Sequence, residues 1–239
     1  MKRIFVGALF LYASAAHADN DFIVYSPAVV EGQTEVETYG FNTQDGRSTL
    51  NGANGYNISV AHSFTSWWKA EAYVGEFNRD PGGQSHPSGY ELENTFQLTS
   101  PGEYWANVGF LAAYAHSKLQ GVPSTLEFGP LLEKISGHVD QRFNLIFGKE
   151  VGAGQSSAYA YRAAYSMGYN INAGRATYTP GMEVYLRPAD NAYQIGPVFS
   201  GELRSRGGKE LEYSLGMVFG VNPGAPARTL LTRLEYEFF

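Results

Sequence analysis

The groups that could do chemistry in this 239-residue chain are carboxylates and guanidiniums, 23 Asp+Glu against 17 Lys+Arg, with no Cys at all. Many fall at alternate positions of otherwise apolar segments. They are Glu37, Lys69, Glu71, Glu133, Asp140, Arg142, Arg162, Glu183, Arg187, Glu202, Glu212, Arg233 and Glu235, with Glu35, Glu91, Glu93, Glu127 and Glu237 beside them. If each set shares one strand face, thirteen acids meet five bases in one confined space. Rings of carboxylates favour cations in a passage, while interleaved acids and bases can equally fill an interior with ion pairs. Both readings stay open at this stage.

Other chemistry is poorly supported. Without Cys there is no thiolate metal site, Cys nucleophile or disulfide framework. The histidines at 62, 86, 116 and 138 show no metal-ligand spacing such as H-x-x-x-H. A Ser–His–Asn arrangement on a barrel wall would need His and Ser at matching depth on neighbouring strands. His62 falls on the apolar face while Ser59 and Ser63 face the other way, and spacing suggests no other pair. Gly82-Gly83 lacks a following helix, so it is no phosphate cradle. No catalytic residue, cofactor or metal is expected.

The elements carrying these groups are strands. Past residue 19 the hydropathy alternates with period 2, broken by Gly, Pro, Asn and Ser clusters, with no convincing 3.6-residue amphipathic pattern. The alternation predicts twelve strands near 34–43, 55–64, 67–77, 89–98, 104–115, 125–135, 138–149, 157–169, 175–187, 192–203, 209–221 and 228–238. Most reach the roughly ten residues that a tilted strand needs to cross a bilayer. Connections after the even strands are short. Those after the odd strands are mostly longer, except 188–191. This is the build of an all-β, transmembrane, antiparallel up-and-down barrel with short periplasmic turns and longer extracellular loops.

Alternation does not say which face meets lipid, and a soluble barrel could turn its polar face to water. Three features favour apolar faces outward. Aromatics such as Trp67, Trp68, Tyr90, Tyr104, Trp105, Tyr193 and Tyr236 sit near strand ends, as girdles do. Lys2-Arg3, an uncharged stretch over 4–16 and Ala16-His-Ala18 read as an export signal over 1–18. The last strand ends in alternating aromatics, Leu234-Glu-Tyr-Glu-Phe238, as assembly signals of outer-membrane barrels do.

Composition agrees. The formal charge of −6 becomes −8 once Lys2 and Arg3 are removed, which argues against nucleic acid as a partner. A mean hydropathy of −0.26 excludes a polytopic helical membrane protein but not a barrel. Residues 34–239 then form the barrel, and 19–33 either extend its first strand or act as a small periplasmic plug, the plug being preferred.

Several stretches carry a family resemblance: Pro101-Gly-Glu-Tyr-Trp105, Leu126-Glu-Phe-Gly-Pro-Leu-Leu-Glu133, Asn144-Leu-Ile-Phe-Gly-Lys-Glu-Val151, Gln194-Ile-Gly-Pro197 and Leu234-Glu-Tyr-Glu-Phe238. Together they resemble a group of largely uncharacterised proteobacterial outer-membrane barrels, similar to the porin-like barrels linked to phenol meta-pathway degradation. These motifs are structural. The resemblance implies a porin-like channel and says little about its solute.

The expected function is passive passage of small solutes across a bacterial outer membrane, with modest cation preference. Twelve strands lie between the filled eight-stranded and the open sixteen-stranded barrels, so the pore should be narrow. Outer-membrane lipid and lipopolysaccharide, the barrel assembly machinery and a small-molecule solute are the expected partners. The alternatives are a barrel enzyme acting on lipids and a structural or adhesive barrel without transport.

Overall fold

Long runs of period-2 alternation separated by turn residues leave one economical arrangement: strands paired in chain order, with one face hidden from the surroundings of the other. The computed structural model has this arrangement and describes residues 22–152, 154–205 and 207–239. The expected export signal over 1–18, and 19–21 after it, lie outside the described residues. Twelve wall strands follow one another: β1 Thr34–Gln44, β2 Asn54–Thr65, β3 Trp68–Arg79, β4 Gly89–Gln97, β5 Asn107–Ser117, β6 Ser124–Ser136, β7 Val139–Val151, β8 Ala160–Tyr169, β9 Ala176–Arg187, β10 Ala192–Arg204, β11 Glu210–Gly220 and β12 Arg228–Phe238. Each pairs antiparallel with its neighbour. The sheet closes where β1 meets β12, from Thr34↔Phe238 through Gln44↔Arg228. The result is a closed antiparallel twelve-stranded barrel. Closure leaves no strand edge unpaired, which an open sheet in lipid would require.

The apolar faces point outward. Leu215, Phe219, Phe199, Leu234 and Tyr236 are exposed, while Gln194, Val218, Thr229 and Glu235 on the alternate positions are buried. Outside, rings cluster near both rims. Phe64 stacks on Trp68 at 4.9 Å and Trp67 on Phe96 at 6.2 Å by the short turns. Tyr90 lies 6.5 Å from Tyr114 near the long loops. Polar groups on this face find partners within it, as when Trp68 Nε1 donates to Asn94 Oδ1 at 2.9 Å. Hydrogen-bonding them laterally removes most of their desolvation cost.

Three local features depart from plain alternation. The first is a bulge in β3: Ile58 pairs with Gly75 but Ser59 with Tyr73, so Val74 has no partner and is 68% exposed. An extra residue flips the inward set, from Lys69, Glu71 and Tyr73 to Glu76 and Asn78. The second is the connection between β4 and β5. Strands were expected to end at 98 and restart at 104, but β4 stops at Gln97 and β5 begins at Asn107. Pro101-Gly102 turns here, with Gly102 at φ +77°, and the turn caps itself. Ser100 N donates to Glu103 Oε2 and Gly102 N to Asn107 Oδ1, both at 2.9 Å. Leu98 N still donates to Val108 O at 2.8 Å, and beyond it the capped turn replaces the regular ladder up to Asn107. The third is the start of β8, at Ala160 rather than 157. Two further short pieces, His86–Pro87 and Ile171–Ala173, extend the pairing of β3 and β9.

At the long-loop rim the 188–191 link is tight because Asn191 adopts φ 49°, with its N–H bonded to Pro188 O at 3.1 Å. A latch joins the first and last long loops beside it. Arg47 donates to Asp45 and to the carbonyls of Pro223 and Ala225, and Ala227 N donates to Asp45 Oδ2 at 2.7 Å. The guanidinium and these N–H bonds hold the Asp45 carboxyl well below the usual carboxylate range.

Candidate functional site

The interior is divided by the chain itself. Residues 22–33 form a strap that belongs to no strand and runs inside the barrel from the short-turn rim toward the long loops. At the rim, Gly32 N and Ser63 N exchange bonds with Ser63 O and Gln33 O at 2.9 Å. Deeper, Val29 N donates to Gln97 Oε1 (2.8 Å) and Ser26 Oγ to Glu133 (3.1 Å). Asn144 brackets Tyr25, accepting from its N–H at 2.7 Å and donating to its carbonyl at 3.0 Å. The Tyr25 hydroxyl donates to Glu93 at 2.8 Å. Phe22, Ile23 and Val24 bury themselves among Tyr39 and Phe41 (β1), Ala164 (β8), Tyr185 (β9), Val218 (β11) and Leu231 (β12). Those residues come from opposite walls, so this apolar cluster fills the lumen there.

Cross-strand register explains why the acids gather. Glu35 stands opposite Glu237 and Glu37 opposite Glu235. Glu237 in turn faces Glu210, Glu235 faces Glu212, and Glu212 faces Glu202. Like charges directly opposite one another destabilise a sheet, and basic side chains are built in among them. Lys69 Nζ reaches Glu35 at 2.7 Å, and Arg204 binds Glu202 at 2.6 Å and Glu210 at 3.3 Å. Arg233 binds Glu37 and Glu235 at 2.6 and 2.7 Å. Oxygens of Glu35, Glu235 and Glu237, and of Glu202, Glu210 and Glu212, each come within 4.8 Å of one another. In both triads basic side chains already hold two of the three acids: Lys69 and Arg233 hold Glu35 and Glu235, and Arg204 holds Glu202 and Glu210.

Of the candidate residues, Glu37, Glu133 and Glu235 are buried in the inner wall. Arg142 bonds Glu133 at 2.9 Å and Asp140 at 3.0 Å, and Arg162 pairs with Glu127. Glu71 stands opposite Glu93. Arg187 lies 4.9 Å over the Phe22 ring, and Glu183 accepts the Tyr185 hydroxyl at 2.6 Å. Two inward carboxylates lie outside the expected set. Glu76 is 7% exposed and was hidden by the Val74 bulge. Glu210 opens β11 two residues before Glu212, on the same face, and its register to Glu237 places it with the other acids.

What the strap leaves empty is a cavity of about 400 Å³. It runs from the short-turn rim at Asn170 and Arg204, past Glu202, Glu212, Glu183, Arg142 and Arg233, to Phe22–Val24. A mixed wall of hydroxyls, carboxylates, guanidiniums and a few apolar side chains suits a small polar solute.

One pair was not legible from spacing: His116 Nδ1 lies 2.9 Å from Ser124 Oγ, on the outer face of β5 and β6. Tyr90 packs on this imidazole at 5.0 Å. Among the described residues no carboxylate or amide holds its far nitrogen, as a hydrolytic triad requires. His62 is bonded to Thr34 at 2.9 Å and His138 to Asn170 O at 2.9 Å.

No protein-family model matches the chain, and no curated protein sequence matches it. Among solved structures, the chain is similar to an outer membrane channel from Pseudomonas putida F1. The TM-score is 0.57 at 14% identity, covering 88% of this chain and 96% of that one. Weaker likenesses include the CymD monoaromatic hydrocarbon channel, with a TM-score of 0.44 at 13% identity over 87% and 88% of the two chains. An anion-selective porin from Comamonas acidovorans gives a TM-score of 0.40 at 8% identity over 87% and 97%. At these identities the first likeness speaks for the fold alone, and the fold this chain shares is that of the outer-membrane β-barrels.

Proposed function

We propose that this protein is an outer-membrane channel for small solutes, modestly favouring cations, whose lumen is closed or narrowed by residues 22–33. The observation that carries the reading is the inversion of the barrel: an apolar exterior around an interior of ion pairs and a 400 Å³ cavity. A solvated exterior has no use for exposed Leu215, Phe199 and Leu234 side by side, and a bilayer core does. Residues 1–18 serve as the export signal in this reading, and the C-terminal strand is what the assembly machinery recognises. Lys134 over Trp105 and Lys149 over Tyr159, each at 5.3 Å, are suited to lipid headgroups at the two rims.

Selectivity follows from charge count. The two guanidinium networks at the cavity carry more acids than bases: Arg142 with Glu133 and Asp140, Arg233 with Glu37 and Glu235. The resemblance to barrels linked to phenol breakdown adds aromatic compounds to the solutes worth testing. The strap suits a gate. Side-chain hydrogen bonds and one apolar cluster, rather than a strand ladder, hold it to the wall.

The test is fractionation followed by reversal potentials. The protein should enter the outer membrane, migrate faster on gels unheated than boiled, and show a reversal potential of cationic sign in a KCl gradient. A soluble product, or clear anion selectivity, would sink the corresponding part.

A further inference from the structure

The cavity beside the strap presents both signs of charge to whatever enters it. Arg142 and Arg233 line it from β7 and β12. Their side chains are 32% and 31% exposed, while those of their partners Glu133, Glu37 and Glu235 are only 5%, 8% and 5% exposed, and that of Arg142's second partner, Asp140, is 17% exposed. The acids are thus sunk into the wall, and the guanidiniums face the space. Arg233 uses Nη2 for both of its acids, and Arg142 uses Nε and Nη2. Part of each planar donor fork is left over, and such forks match carboxylates.

Carboxylates of a different kind line the same cavity. Glu183 and Glu212 are half-buried, and among the described residues neither has a lysine or arginine within 4.0 Å. Both nevertheless feel the charges of Arg142 and Arg233. The two guanidiniums and these two carboxylates, of which Glu183 also accepts the Tyr185 hydroxyl, therefore share one small space without an ion pair between them. Phe22, Ile23 and Val24 close its inner end with apolar surface.

We propose that this cavity is a binding site for a small amino acid with a basic side chain: its carboxylate meets the free edges of Arg142 and Arg233, and its amino groups meet Glu183 and Glu212. A simple cation would leave the guanidiniums facing its positive charge, and a simple anion would meet two carboxylates that no lysine or arginine pairs. The surplus of acids in the surrounding networks favours a ligand with extra positive charge. Entry is from the short-turn rim, where Asn170, Thr177 and Arg204 line the opening. This assignment names a solute class for the channel proposed above and rests on that reading.

Calorimetry on the purified full-length barrel tests it without any current. The probes are L-lysine, cadaverine (the same amine without the carboxylate) and hexanoate (the carboxylate without the amines). Lysine should bind at least tenfold more tightly than either fragment. Glu183→Gln and Glu212→Gln should each weaken lysine at least tenfold, while gel migration of the unheated variants stays that of the folded barrel. The assignment is overturned if lysine gives no heat, if cadaverine matches lysine, or if both Gln variants bind as the parent does. Binding without conductance in bilayers overturns the channel reading alone, and conductance without binding overturns only the solute class.

Discussion

The lumen has two unlike halves. Under β3–β7, the strap seals the wall: Glu91, Glu93, Glu133, Asn144, Leu111 and Leu131 are at most 4% exposed. Across from it, on the short-turn half of β8–β12, Ser166, Thr179, Glu183, Ser200, Glu202 and Ser214 are half-buried and face the cavity. The same alternating pattern produced both. What separates them is where a dozen residues without periodicity lie, so the wall sets which groups point inward and the strap decides which of them reach solvent.

Substitutions of comparable chemistry should therefore behave differently on the two sides. The largest effect is expected for Arg233→Ala, which strands Glu37 and Glu235 in the wall. Breaking a buried network by removing one partner costs about 3–5 kcal/mol, to be read as a lower urea midpoint of the refolded barrel. Asn144→Ala comes next. It leaves the Tyr25 N–H and C=O without partners inside the sealed half, at a cost of about 1–3 kcal/mol, and should speed protease cleavage within 22–33. Ser214→Ala, on the open side, should stay within about 0.5 kcal/mol of the parent. Equal costs for Asn144→Ala and Ser214→Ala would erase the distinction between the halves.

The loop latch supplies a pH arm outside the wall. Because Asp45 ionises below the usual carboxylate range in the folded protein, its contribution is complete at neutral pH and is lost only as pH falls below that usual range and through the lowered value. Cleavage in 45–53 should hence be the same at pH 7 and pH 5, whereas Asp45→Asn should raise it at both. The smallest effect is expected for His116→Ala, which removes the bond to Ser124 on the outer face. No change in conductance and no phospholipid hydrolysis by either form are expected. Hydrolysis by the parent that the variant lacks would revive the lipid-enzyme alternative.

The wall was legible in the sequence because a strand's faces follow from counting by two, and lipid outside with charge inside sharpens that count. Counting fails where one residue is inserted, and Val74 alone hides Glu76. It fails again at Pro101-Gly102, where side-chain caps compete with the ladder over 98–106. The path of 22–33 was beyond it, since its partners Asn144, Glu93 and Glu133 are distant in sequence and follow no repeat. The cavity was equally out of reach, being the space that this path leaves. Residue types pointed to an acidic interior, but the division between sunk acids and facing guanidiniums needed side-chain burial.

Planar-bilayer conductance of the full chain beside a variant lacking residues 22–32 bears most directly on the account. The full chain should show small, infrequent openings in KCl, and the deletion a larger, steady current of cationic preference, with both proteins heat-modifiable. Identical currents from the two, or none from a correctly folded deletion, would contradict a channel gated by its own N-terminal strap.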